Sequence, residues 1–238
     1  MTTLAENERL PAVSAWFRGK FCEALERRPG RRLQAGEFLY LPGDPAASSY
    51  YLRRGLVKTG VFASDGDELI VNIHRPGDII GEPCLPAGRR SDYARVLEES
   101  EIVEVSCADF VDHLRRDPRA LLDFMVALSG QLAEIRAQLS SLASEHVRLR
   151  LVRTLLRLAD KLGEETPEGV RITQHLRQDD LAKMVGARRE VVSRELNRLR
   201  REGVIRYTTR GPIRIDRTAL CSLRDALEGS KDDIGRGQ

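Results

Sequence analysis

The chain has 238 residues, 41% hydrophobic and 32% charged, with a formal net charge of +3. This is enough for two modest hydrophobic cores, and no apolar run approaches the roughly 20 residues of a membrane-spanning helix. Cys22, Cys84, Cys107 and Cys221 are scattered, without C-x-x-C spacing, which argues against a disulfide framework or a zinc site. Each is read as a small, mostly buried hydrophobe, with Cys84 in a loop as the one candidate redox sensor.

In chain order, the first residues lack a basic segment followed by an uninterrupted apolar one. No export signal is therefore read, and the cytoplasm is the expected location. An amphipathic helix is predicted near Pro11–Leu25, carrying Val13, Trp16, Phe17, Phe21 and Leu25. Short β-rich segments follow between turn signals: Arg32–Tyr40, Tyr50–Leu52, Leu56–Phe62, Glu68–His74, Ile79-Ile80, Tyr93–Leu97 and Ile102–Val105. Strands this short, with turns roughly every 8–12 residues, predict an antiparallel sandwich or barrel. His74 stands beside Arg75-Pro76 at a strand end and is read as a surface or turn histidine, with no second histidine nearby to share a metal.

Asp117-Pro118 supplies an N-cap and an N1 proline. After it, Leu121, Met125, Leu128, Leu132, Ile135, Leu139 and Leu142 recur at alternating steps of four and three, and the pattern runs on through His146 to Leu149. Such a heptad seam is narrow and is best buried against a copy of itself, predicting a parallel homodimer. Leu122, Phe124 and Val126 lie off the seam and could touch the β domain. A hinge is expected near Asp160, followed by a flexible loop over Lys161–Gly169.

Thr173–Arg210 reads as helix, tight turn, helix and basic hairpin. The first helix, from about Arg177 to Val185, aligns Leu181, Met184 and Val185 on one face. Gly186 then suits a turn needing positive φ. The second helix starts near Arg188 and sends Val191, Val192, Leu196 and Leu199 inward, leaving Arg189, Glu190, Ser193 and Arg194 on the opposite face of its N-terminal half. That half is what a recognition helix presents to the major groove. Val204–Tyr207 and Ile213–Ile215 flank Gly211-Pro212 as wing strands. Residues 1–110 hold 14 basic and 17 acidic side chains and residues 111–238 hold 25 and 19, so positive charge collects in the C-terminal half. The last eight residues read as a disordered tail.

Taken together, the chain resembles the CRP/FNR family of bacterial transcription regulators over about residues 20–220. The resemblance rests on Leu181-Ala182-x-x-Val185-Gly186-x-x-Arg189-Glu190-x-Val192-Ser193-Arg194-x-Leu196-x-x-Leu199 and on Pro76-Gly77-Asp78-x-Ile80-Gly81-Glu82. It implies an α+β fold in four parts. Residues 1–116 would form an N-terminal helix and an effector-sensing double-stranded β-helix, a jelly-roll-like β-roll. Residues 117–160 would be the dimerisation helix and hinge, 161–230 the winged helix-turn-helix, and 231–238 the tail.

The resemblance further implies a palindromic double-stranded DNA operator. Arg189, Glu190 and Arg194 match the readers of a TGTGA-like half-site, while Glu190, Ser193 and Arg194 equally match readers of a TTGAT-like one. Arginine can donate two bonds to guanine and glutamate can accept from cytosine, so either set is chemically sound. Arg177, Arg188, Arg198, Arg201, Arg206 and Arg210 are read as phosphate contacts. RNA polymerase is an implied partner if the output is activation, through the Lys161–Gly169 surface.

For the effector, Gly81-Glu82 and Arg90-Ser91 stand in the order of the family's phosphate cassette, with Ser140 and Ser141 placed to meet a purine. That implies cyclic AMP or cyclic GMP. Against it stand the short, proline-containing loop Pro83–Arg89 and the carboxylate of Asp92, expected to pair with Arg89 or Arg90. A cyclic nucleotide, another small effector and an unused pocket all stay open. The three-cysteine cluster of the oxygen-sensing branch is missing, Cys84 and His74 are the only candidate haem ligands, and no resident cofactor or metal is assigned. No Walker A, H-E-x-x-H or G-x-S-x-G motif marks an enzyme.

Overall fold

The computed structural model describes residues 20–64, 66–82, 88–174, 176–208 and 211–234, with the backbone alone described at 20–22, 127 and 230–234. Most of the predicted N-terminal helix, Cys84, Arg210 and the last four residues therefore lie outside the described residues, as does the side chain of Cys22. The chain divides into two units, one of residues 1–61 and 71–136, the other of residues 62–70 and 137–238.

The first unit begins with α1 (Lys20–Glu26), followed by β1 (Arg31–Leu33), β2 (Phe38–Tyr40), β3 (Ser48–Phe62), β4 (Glu68–His74), β5 (Ile79–Ile80) and β6 (Tyr93–Ser106). These strands form one antiparallel sheet in the order β1-β6-β3-β4, with β2 on β6 and β5 on β3. The long β3 and β6 pair from Ser48↔Ser106 to Gly60↔Tyr93, with register shifts between Leu52 and Val57 that bend the sheet into a roll. One end is filled by Leu25, Tyr51, Ile79, Val103, Val105 and Phe110. A second cluster gathers Leu33, Leu52, Val57, Ile80, Val96 and Ile102.

Two readings are corrected in this unit. His74 is buried rather than at the surface, its Nε2 3.0 Å from Thr59 Oγ1 and its Nδ1 3.8 Å from Asp78 Oδ2. The turn at Arg75–Asp78 folds back beneath the strand end, with Gly77 N donating to Leu52 O at 2.8 Å, so polar sequence neighbours did not mean solvent. Cys107 is disulfide-bonded, where an unpaired cysteine was expected. Spacing in sequence alone does not specify such a pairing. Cys221 is free.

Helices α2 (Cys107–Arg116) and α3 (Pro118–Ser144) follow. Ser106 Oγ caps α2 by accepting from Asp109 N at 3.1 Å, and Asp117 Oδ1 caps α3 by accepting from Arg119 N at 3.0 Å. Phe124 meets Phe110 at a ring separation of 5.1 Å, which seats the start of α3 against the sheet. Leu122 and Val126 make no such contact and are exposed. So are Leu121, Met125, Leu128, Leu132, Ile135 and Leu139, each 43–62% accessible along the predicted seam.

The helix does not run on to Asp160. It ends at Ser144, and α4 (Val147–Leu162) starts anew after His146, an extended residue at φ −69°, ψ 149°. Leu149 is buried within the second unit, so the heptad pattern crosses a break where the seam itself ends. Asp160 lies inside α4, where it accepts from Arg217. The expected flexible loop at 161–169 is instead the hairpin of β7 (Gly163–Thr166) and β8 (Gly169–Ile172). Then come α5 (Gln178–Val185), α6 (Arg189–Arg201), β9 (Ile205–Arg206), β10 (Ile213–Ile215) and α7 (Arg217–Ile234). The strands form an antiparallel sheet in the order β7-β8-β10-β9. The last helix reaches four residues into the segment read as a disordered tail.

Candidate nucleic-acid interface and effector pocket

Helix α5 ends because Gly186 turns left-handed, at φ 62° and ψ 49°, and Ala187 N returns a bond to Ala182 O at 3.1 Å. A side chain at 186 would be strained by that φ and would stand 2.8 Å from Leu142 Cδ2. The turn delivers α6 at once, with Val192, Leu196 and Leu199 buried beneath it. Arg189, Glu190 and Arg194 are exposed and Ser193 half-exposed. None of these four is held in an ion pair or side-chain hydrogen bond among the described residues. Arg177 and Arg188 occupy the N-cap positions of the two helices, exposed, as are Arg201 and Arg206. Arg198 differs, because its Nε donates to Glu202 Oε1 at 3.1 Å and its charge is partly neutralised there.

Two arginines of α4 that sequence reasoning passed over fix this pair of helices. Arg150 donates to Val185 O at 2.9 Å, Gly186 O at 3.2 Å and Glu145 O at 2.8 Å, satisfying carbonyls at the ends of both α5 and α3. Arg148 forks onto both oxygens of Glu202 at 2.9 and 2.7 Å and approaches Glu195 at 3.9 Å. That fork, with Arg198, holds the Glu202 carboxyl below the usual carboxylate range. The signal available in sequence was only a run of alternating arginines in an amphipathic helix.

In the first unit the cassette residues converge, but on one another. Arg90 is 3% exposed. Its Nη1 donates to Glu82 O at 3.2 Å, its Nη2 donates to Ser48 O, and its guanidinium carbon stands 4.4 Å from the Tyr40 ring centroid. Glu82, itself exposed, brings a carboxylate oxygen to 3.9 Å. Gly81 is required here, since a Cβ at its φ of 78° would lie 2.6 Å from Arg90 Nη1. Asp92 pairs with neither arginine by hydrogen bond. It accepts from the Tyr40 hydroxyl at 2.9 Å, while Arg89 donates to Gly43 O at 2.7 Å. Among the described residues, Arg90 Nε, Ser49 Oγ and Asp92 Oδ1 are buried without hydrogen-bond partners. Ser91 is exposed. Ser140 and Ser141 belong to the other unit, where Ser141 donates to Glu145 one turn on.

Burial pushes the Asp92 carboxyl up, the Tyr40 hydrogen bond pulls it down, Glu82 raises it and Arg90 lowers it, with a net upward shift. A raised carboxyl penalises the folded state only when ionised. The penalty is complete above the raised value and disappears as the pH falls to the ordinary aspartate value of about 4. Asp92→Asn keeps an acceptor for Tyr40 and cannot ionise. Its stability relative to the parent is predicted to improve steadily between pH 4 and pH 7, measured as the difference in melting temperature. A pH-independent difference would contradict the assignment.

Two domain families match the chain, the cyclic nucleotide-binding domain over residues 30–117 and the Crp-like helix-turn-helix domain over residues 149–223. The second match begins within α4, in keeping with that helix being packed into the DNA-binding unit. An anaerobic regulatory protein from Bacillus subtilis is 31% identical over 185 residues, covering 77% of this chain and 78% of that one. A CRP/FNR-family transcriptional regulator from Thermus thermophilus superposes with a TM-score of 0.66 at 28% identity, covering 83% and 99% of the two chains. A regulator from Xanthomonas campestris described as responsive to c-di-GMP gives the same TM-score at 27% identity, covering 81% and 95%. These are transcription regulators, not enzymes, and no described helix is long and apolar enough to cross a membrane. With both domains matched in this order and helix, turn and wing in place, the chain belongs to the CRP/FNR family of transcription regulators.

Proposed function

We propose that this regulator acts in the cytoplasm as a homodimer that reads a palindromic operator and is gated by a small effector in the β-roll. The observation that carries the reading is the α6 surface. Arg189, Glu190, Ser193 and Arg194 are presented together, unpaired among the described residues, on a helix whose other face buries Val192, Leu196 and Leu199 and half-buries Val191. Arg189 and Arg194 would donate to guanine edges and Glu190 would accept from cytosine. Arg177, Arg188, Arg201, Arg206 and Arg210 would bind phosphates, with Arg198 a weaker contributor because Glu202 already holds it. If the output is activation, RNA polymerase is the further partner, and the β7–β8 hairpin is the surface offered to it.

Dimerisation is supported by the α3 seam, where six large apolar side chains repeat at heptad spacing in solvent. Leu132→Glu sits mid-seam and exposed, so it leaves the fold of each chain intact. It is predicted to shift the protein from twice the chain mass to the chain mass in sedimentation equilibrium. A variant that stays dimeric would place the interface elsewhere. On a duplex selected from a random pool, Arg189→Ala is predicted to lose about 10- to 100-fold in preference for the selected site over a scrambled one. An unchanged preference would remove Arg189 from base reading.

The Arg90 geometry favours a second reading, in which the pocket is not used for a nucleotide. A cyclic phosphate would have to draw the guanidinium away from two carbonyl oxygens and the Tyr40 ring, beside the Asp92 carboxylate. Calorimetric titration with cyclic AMP and cyclic GMP separates the readings, with Arg90→Ala as control. Micromolar binding abolished in the control would establish the cassette. No heat at millimolar ligand would leave another effector, or none.

A further inference from the structure

Cys107 carries a bond that neither the α6 surface nor the Arg90 cluster uses. It is disulfide-bonded, Cys221 is free, and the partner sulfur lies outside the described side chains. The proposed compartment keeps thiols reduced, and disulfides found there are usually transient or redox-sensing. Permanent cross-links are needed chiefly in domains too small to build a core. The first unit has a core, with Leu25, Tyr51, Ile79, Val103, Val105 and Phe110 packed at the end where α1 and α2 meet the sheet. Its helices are also tied without the disulfide. Arg53 donates to Leu25 O at 2.8 Å and Arg28 O at 2.7 Å, and Arg28 pairs with Asp109 of α2 at 2.7 Å.

The position of Cys107 gives its bond a consequence. It is the first residue of α2, directly after the Ser106 cap, and it is half-buried rather than enclosed in the core. Access of that kind is what thiol exchange requires. Three residues on, Phe110 is buried and meets Phe124 of α3 edge to face, at 5.1 Å and 70°. Around Phe124, the large side chains Leu121, Leu122, Met125 and Val126 are 44–63% exposed, so Phe124 carries much of the seating of this part of α3. Asp117 alone separates α2 from α3. The start of α3 is thus held through α2, and α2 is anchored at its own first residue.

We infer that Cys107 is one half of a reversible thiol–disulfide centre whose state sets how firmly α2, and through Phe110 and Phe124 the start of α3, is held on the sheet. With the bond closed, α2 is tied covalently at its first residue. A small thiol such as glutathione opens the bond in two exchanges. One glutathione thiolate attacks a protein sulfur, breaks the S–S bond and leaves a mixed disulfide. A second glutathione then displaces the first and departs with it as glutathione disulfide. Two electrons and two protons have passed to the protein, which now carries two thiols. Oxidation by glutathione disulfide is the same sequence in reverse.

The consequence for the dimer rests on the α3 seam reading, and the test keeps the two apart. The full-length parent is equilibrated in glutathione buffers from reducing to oxidising, and its free thiols are alkylated and mapped by mass spectrometry. Cys107 is expected to pass reversibly between thiol and disulfide in the folded protein, with Cys22 or Cys84 as its partner. On reduction, amide exchange over residues 121–128 should quicken about tenfold, in the parent and in Leu132→Glu alike, while exchange over α6 stays unchanged. The dimer dissociation constant of the parent should rise by about tenfold in step, and re-oxidation should restore both. Cys107→Ser should match the reduced parent in every buffer, and the reduced parent itself decides the matter should that variant not fold. A bond that opens only on unfolding, or exchange over 121–128 indifferent to the bond, would overturn the centre. Quickened exchange in a parent that is monomeric in every buffer would uphold the centre and overturn the seam reading instead.

Discussion

A helix of 27 residues that leaves eight large apolar side chains 43–63% exposed is the constraint around which this protein is organised. Six of them fall on one heptad stripe, too narrow to cover the β-roll and too long to be scattered surface. Phe124, off that stripe, packs against the sheet's own core. Removing such a stripe from water would stabilise an assembly by about 25 cal/mol for each Å² buried. A second copy is the simplest surface of matching shape and period. Dimerisation on that seam would also duplicate the recognition helix, and a duplicated reader needs a palindrome.

The DNA-binding unit is prepared for this by rigid parts. Arg150 ties α4 to the last turns of α3 and α5, and Arg148 ties it to α6 through Glu202. Each bond lands on an orphan carbonyl or a carboxylate, so the helix pair moves with α4 as one body. The break at Glu145–His146 lies just before this body begins. The tip of the β3–β4 hairpin also belongs to it, since Glu68 holds Lys183 of α5 at 2.9 Å. Its two strands continue into the first unit.

Much of this was legible in the sequence, for identifiable reasons. The turn at Gly186, the faces of α5 and α6, the Asp117-Pro118 start and the seam are all local or periodic, and short-range patterns encode them directly. What escaped depends on contacts between distant segments. The heptad rhythm continues through His146 and Leu149, so periodicity alone could not locate the helix break. Glu164–Thr166 looks like a charged loop, and its pairing with β8 is fixed by the sheet rather than by its own residues. His74 reads as polar and peripheral until Thr59, fifteen residues earlier, is placed against it. In the candidate pocket the sequence located Gly81, Glu82 and Arg90. It could not foresee that Tyr40, some fifty residues from its Asp92 partner, would cover the arginine.

The two units therefore differ in their charged groups. The outer surface of α6 is open and, at Arg189, Glu190 and Arg194, unpaired among the described residues. Arg90 of the β-roll is enclosed by the protein itself, so that a ligand binding at Arg90 would have to displace those contacts. Operator reading as proposed requires two recognition helices working as a pair, which hydroxyl-radical footprinting of the full chain on its selected duplex tests most directly. The predicted result is two protected half-sites on one face of the duplex, with centres about one helical turn apart and related by a twofold axis. A single protected half-site, or two without symmetry, would contradict it.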